Sequence, residues 1–266
     1  MCYSYTQVTC LSDFFIIHNM DTFLIQKCAN LSNEAYNDKI TLIPDSTFIE
    51  NPKYDTQLHI AKENNILYVI GRGTSSKKDV IQDIKIARSK CSFINNTMIH
   101  CGFLQQYESI RDELNYFINK YINENCNIYK IVFTAHSLGN AVATIGAIDF
   151  KLNNKYKDKI VECISFASPR IGCSKFAKLF NTNVNISHRV VLHRDPVTFV
   201  PFCLRFKHIK GCIHLKKDGT THISDDYFFP IGCWVNQHFM DAYVERIHGQ
   251  FISSQSSGIS DNGDCI

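Results

Sequence analysis

Apolar residues recur along this chain in two rhythms, one helical and one extended. Phe23, Leu24, Cys28, Leu31 and Ala35 fall at helical spacing. With Asp21 or Thr22 as cap, they predict a helix over residues 21–36. Runs 57–61 and 66–71 have strand character, and Glu63-Asn64-Asn65 between them predicts a hairpin turn. Val80, Ile81, Ile84 and Ala87 share one face of a short amphipathic segment over 79–87. Tyr107, Ile110, Leu114, Phe117 or Ile118, and Tyr121 form a stripe that predicts one long helix over 103–123.

From there strand and helix alternate: strand 128–134, helix 138–152, strand 160–167, helix 174–180, strand 186–192. Such alternation predicts an α/β fold, a mainly parallel central sheet with helices on both faces. After Pro201 the pattern changes. Segments 205–215 and 220–223, joined by Lys217-Asp218-Gly219, predict an antiparallel hairpin at the sheet edge, and a final helix follows over 237–247. No repeat or linker divides the chain, so a single domain is expected over 1–252. Residues 253–266, rich in Ser, Gly, Asn and Asp, read as a disordered tail.

Composition narrows the classes. Apolar residues make up 45% and charged residues 20% of the 266, as in ordinary globular chains. No apolar run approaches the ~18 residues that span a bilayer. The net charge is +3, from 28 basic and 25 acidic residues, which is too small and scattered to make nucleic acid the expected partner. Twelve cysteines run from Cys2 to Cys265 without a C-x-x-C pair, so neither a zinc site nor a thioredoxin-type redox motif is indicated. The N-terminus has no basic region, and the apolar stretch 14–17 is too short for a signal sequence. Mostly free thiols and a cytoplasmic protein are the expectation.

The chemistry concentrates in Ile131-Val132-Phe133-Thr134-Ala135-His136-Ser137-Leu138-Gly139-Asn140. A buried strand enters a tight turn with serine at its centre, and a helix leaves at once, which is the context of a nucleophile elbow. The turn lifts the hydroxyl above the sheet and aims the first, unpaired helix amides at the same point. The plainer possibility is that Ser137 is a helix cap. A nucleophilic serine needs a base, and the base needs an orienting acid, in the chain order Ser, Asp or Glu, His. Asp195, in the loop after strand 186–192, fits the acid; as Asp-Pro it also fits a simple turn. The later histidines are His208, His214, His222, His238 and His248. His238, opening the last helix, has the best place. His136 adjoins the serine, but neighbouring side chains diverge, so it reads as a structural neighbour.

Ala135-His136-Ser137-Leu138-Gly139 resembles the G-H-S-L-G elbow of the class 3, fungal-type lipases within the α/β-hydrolases. Other blocks agree in order. Gly71-Arg72-Gly73-Thr74-Ser75 is similar to the family's F-R-G-T/S, and Asp79 and Asp83 to its D-W-x-x-D-L. His100-Cys101-Gly102-Phe103 resembles V-H-x-G-F, and residues 165–172 resemble T-F-G-x-P-R-V-G. Residues 189–201 resemble the stretch bearing the acid, and His238 with Tyr243 resembles H-x-x-x-x-Y. Departures from the pattern are Ala135, Asn140 and Ala167 where the family has glycine, and Val80 near the place of its tryptophan.

The resemblance implies an α/β-hydrolase fold with a lid segment after the first sheet strands, over 76–88. It implies Ser137 as nucleophile, Asp195 as orienting acid and His238 as base. The Leu138 amide and Thr74 would form the oxyanion hole, with no cofactor and no metal. The implied activity is that of a lipase or carboxylesterase on acyl lipids. The lid would make transient contact with a membrane or lipid-droplet surface. The alternatives are a phospholipase A1 and a catalytically silent lipid-binding member of the fold.

Overall fold

The computed structural model describes residues 11–37, 39–73, 87–202, 204–218, 220–225 and 235–256. A helix, α1 (Leu11–Glu34), leads into β1 (Thr47–Asn51), β2 (Thr56–Glu63) and β3 (Ile66–Gly71). A two-stranded ribbon, β4 (Arg88–Cys91) and β5 (Thr97–His100), precedes α2 (Cys101–Glu108) and α3 (Arg111–Glu124). Then come β6 (Lys130–His136), α4 (Gly139–Asn153), β7 (Ile160–Phe166), α5 (Ser174–Asn183) and β8 (Ile186–Leu192). The chain closes with β9 (Cys212–Leu215), β10 (Thr221–Ile223) and α6 (Met240–Ser256).

The main sheet runs in the order β1-β2-β3-β6-β7-β8-β9-β10. Strands β3, β6, β7, β8 and β9 are mutually parallel, and antiparallel pairs close both edges. The alternation predicted from the sequence is what builds this sheet. Its central strands feed two cores by their two-residue period. Leu67, Val69, Ile131, Phe133, Val161 and Cys163 face α2–α5. Tyr68, Ile70, Val132, Ile164 and Phe166 face α1 and α6, whose Leu31, Met240 and Tyr243 cover them. Because both faces are covered, the strands read as continuous apolar runs.

Several elements differ from expectation. The single helix over 103–123 is two helices, broken where the Ser109 hydroxyl donates to the Gln106 carbonyl at 2.7 Å and Ile110 leaves helical geometry. Such a local side-chain bond competes with the helical ladder. Strand β1 is an addition, with only Ile49 buried. The hairpin at the far edge forms, but its first strand starts at Cys212 rather than 205. Helix α6 continues through residues 253–256, into the segment expected to be disordered, because extending an existing helix costs far less than starting one. Most of the amphipathic segment 79–87 and of the expected lid over 76–88 lies outside the described residues. Seven described cysteines (Cys28, Cys91, Cys101, Cys126, Cys163, Cys173 and Cys212) are free thiols.

Candidate active site

Strand β6 ends at His136 and α4 begins at Gly139, leaving two residues to reverse the chain. Ser137 makes the turn in a left-handed backbone conformation, φ +55°. A non-glycine residue there stores about 1–3 kcal/mol of strain. Its own N–H donates to the Phe166 carbonyl at 3.0 Å. The Asn140 amide donates to the Ser137 and Phe166 carbonyls at 3.1 and 2.7 Å. Asn140, where the resemblance has glycine, thus braces the turn from inside α4.

Small residues are required around it. A methyl added to Gly139 would lie 2.5 Å from the Arg72 carbonyl oxygen. A methyl on Gly71 would lie 3.1 Å from the Ala135 Cβ. The bare Gly71 therefore leaves room for the methyl of Ala135, the other departure at the elbow. Gly73 packs on the elbow as well: a Cβ there would lie 3.2 Å from the Ser137 Cβ. The chain passes beside the serine one residue before Thr74, which itself lies outside the described residues. The Leu138 amide stands at the start of α4, where a helix has no acceptor of its own for an N–H.

The three remote residues singled out from the sequence converge. The Ser137 hydroxyl lies 2.8 Å from His238 Nε2. His238 Nδ1 lies 3.0 and 3.2 Å from the two oxygens of Asp195. A carboxylate only accepts, so Nδ1 carries the proton and Nε2 is left to accept from the serine. Asp195 is fully buried. Its carboxylate also accepts from the Val197 N–H at 3.0 Å and from the Tyr243 hydroxyl at 2.6 Å. The Tyr243 oxygen in turn accepts from the Leu192 N–H, so α6 pins the acid to the end of β8. His238 closes a 3-10 turn, Val235–His238, just ahead of α6 rather than opening the helix.

The rejected histidines stand elsewhere. His208 donates from Nε2 to the Thr198 carbonyl at 2.7 Å. His214 stacks on His193 with centroids 5.8 Å apart and pairs across the edge hairpin with His222. His136 is buried against the site, its ring centroid 4.9 Å from that of His238. Tyr36, which the sequence offered only as the last residue of a helix, reaches His136 Nδ1 at 2.6 Å. Nothing in its spacing could have marked it. Among the described residues there is no group of three or more His, Cys, Asp or Glu that could hold a metal ion.

The sheet order and the strained serine turn define the α/β-hydrolase fold. Solved structures agree on the fold. A lipase of Rhizomucor miehei in complex with its propeptide aligns at a TM-score of 0.66 and 23% identity, over 76% of this chain and 70% of that one. A triacylglycerol lipase whose catalytic centre is described as a serine protease triad aligns at 0.64 and 24%, over 74% and 80%. The profile of the family "Lipase (class 3)" matches residues 68–205, and this chain belongs to that family. Among curated relatives, a secreted mono- and diacylglycerol lipase A of Penicillium cyclopium is 26% identical over 183 residues, 68% of this chain and 54% of its own length.

The chain spans 34% to 54% of the length of the first such relatives. The cytoplasmic expectation is corrected by these matches, since relatives are named as secreted. That expectation rested on the first residues of a chain that aligns with only part of its relatives, and those residues carry no information on export.

Proposed function

We propose that this protein is a serine hydrolase that cleaves carboxylic ester bonds of acyl lipids through Ser137, His238 and Asp195. The observation that carries the reading is the continuous chain of hydrogen bonds from the strained Ser137 hydroxyl through His238 to buried Asp195. Membership of the class 3 lipases supports it, as do the relatives, one named for action on mono- and diacylglycerols and one for triacylglycerol.

In this reading His238 Nε2 takes the Ser137 proton as Oγ attacks the ester carbonyl. The oxygen of the tetrahedral intermediate gathers negative charge beside the Leu138 amide. Each donor aimed at that position contributes about 2.7–4 kcal/mol to the transition state. Thr74 is the second donor by the family resemblance, and Gly73, one residue before it, packs on Ser137. His238 then protonates the leaving alcohol, the acyl-enzyme forms, and His238 activates the water that releases the acid. Asp195 holds the imidazole in one tautomer and stabilises its charged form; Tyr243 and the Val197 amide hold Asp195. Contact of a lid over 76–88 with a lipid surface belongs to the same proposal.

Hydrolysis of short-chain esters, a triacylglycerol emulsion and phospholipid vesicles by the purified protein and by Ser137→Ala tests the reading. The expected result is turnover of the esters and the emulsion, and loss of about 10⁴-fold or more in the variant. Preference for vesicles would favour a phospholipase A1. Folded protein silent on all three would favour a lipid-binding member of the fold.

A further inference from the structure

The His136 imidazole has both nitrogens engaged, and the proton positions follow from its partners. Nε2 lies 2.7 Å from the His238 carbonyl oxygen, which can only accept. Nε2 therefore carries the ring proton, and Nδ1 must accept. Its partner is the Tyr36 hydroxyl at 2.6 Å. That hydroxyl has one proton to give, and Nδ1 takes it. One directed chain results: Tyr36 O–H to His136 Nδ1, His136 Nε2–H to the His238 carbonyl.

The surroundings keep each member in the required state. Burial, and then the nearness of His238, push the His136 pKa well below its ordinary value, so the ring stays neutral. Burial raises the Tyr36 hydroxyl, which keeps its proton, and the Arg72 guanidinium lies 6.0 Å from its ring centre. A methyl on Gly73 would stand 2.2 Å from the Tyr36 oxygen, so the approach needs glycine.

We propose that His136 is a positioning residue for the hydrolytic site, holding the backbone of His238 through Nε2–H, and that Tyr36 selects the tautomer that makes this possible. The proposal rests on the function assigned above. The base is then gripped twice, by Asp195 on its ring and by His136 on its carbonyl. Without Tyr36, the proton of His136 is free to move to Nδ1, and a bare Nε2 lone pair would face the carbonyl and repel it. Gly73, next in the chain to the expected oxyanion residue Thr74, packs against the Tyr36 oxygen. The base is thereby held from β6 and from the residues just after α1, outside the three-residue relay.

The test uses His136→Phe, His136→Gln, Tyr36→Phe and the double Phe variant, assayed on a short-chain ester and with an activated alkyl phosphonate. His136→Phe keeps the bulk and loses the donor; the glutamine amide puts an N–H near the place of Nε2. The expected loss for His136→Phe is about 10- to 100-fold in kcat with KM within ~3-fold, since small misplacements of a reacting group cost that much. Tyr36→Phe is expected to lose about 3- to 10-fold, and the double variant no more than His136→Phe, because the two act as one unit. His136→Gln should recover most of the loss.

Phosphonate reaction at Ser137 of the unaltered protein separates the two proposals. No reaction there would sink the assigned function, whereas a reaction that His136→Phe and Tyr36→Phe leave unslowed would sink the positioning role alone. Losses that multiply in the double variant would also overturn it. If His136→Phe does not fold, Tyr36→Phe decides: kcat within ~2-fold of the unaltered protein contradicts the proposal.

Discussion

At the scale of single residues, Ser137 joins a chemical role to a backbone cost. Its left-handed φ is tolerable for glycine and strained for any other residue, by roughly 1–2 kcal/mol. Glycine gives back about 0.5–1 kcal/mol of that through its greater freedom when unfolded. Ser137→Gly is therefore expected to be about 0.5–1 kcal/mol more stable than Ser137→Ala, while both are inactive. Urea unfolding of the two variants measures the difference. Equal stabilities would mean that neighbouring contacts, rather than strain, dominate the turn. Asp195 illustrates the complementary case. A buried carboxylate is costly unless its oxygens are bonded, and here Tyr243, Val197 and His238 supply the donors.

At the scale of elements, what could be read in advance follows from how each element is stabilised. The central strands and α4 are buried on all sides, so their apolar residues mark them plainly. The elbow was legible because strand, serine and glycine stand next to each other in the chain. Asp195 and His238 could be placed by order along the chain and by the family blocks. The Tyr36 contact could not, since it joins residues 100 positions apart through one hydroxyl. Strand β1 escaped notice because an edge strand with one buried side chain carries almost no periodic signal. The break between α2 and α3 escaped for a different reason. The apolar stripe continues across it, and a single serine hydroxyl redirects the backbone.

At the scale of the whole molecule, several histidines are buried or half-buried in the neutral state, and this sets a response to acid. Burial lowers the pKa of His59, His136 and His208, and lowers that of His214 to about 4. In the unfolded chain each returns to about 6.5. Below that pH the unfolded state binds protons that the folded state does not, so stability falls as pH falls. The loss begins near pH ~6.5 and continues down to the folded-state values. His136, which is buried, contributes about 1.4 kcal/mol per pH unit within that window, and half-buried His208 adds in the same direction. Denaturant titrations at several pH values from neutral to mildly acidic should show this slope. A stability that stays flat over the interval would contradict neutral burial of these rings.

The central claim is that Ser137 is a nucleophile activated by His238. Covalent labelling by an alkyl phosphonate, with the modified residue located by peptide mass spectrometry, tests it most directly. The account predicts one adduct per chain, on the peptide containing Ser137, formed far more slowly in His238→Ala. An adduct on another residue, or labelling of Ser137 at an unchanged rate without His238, would contradict it.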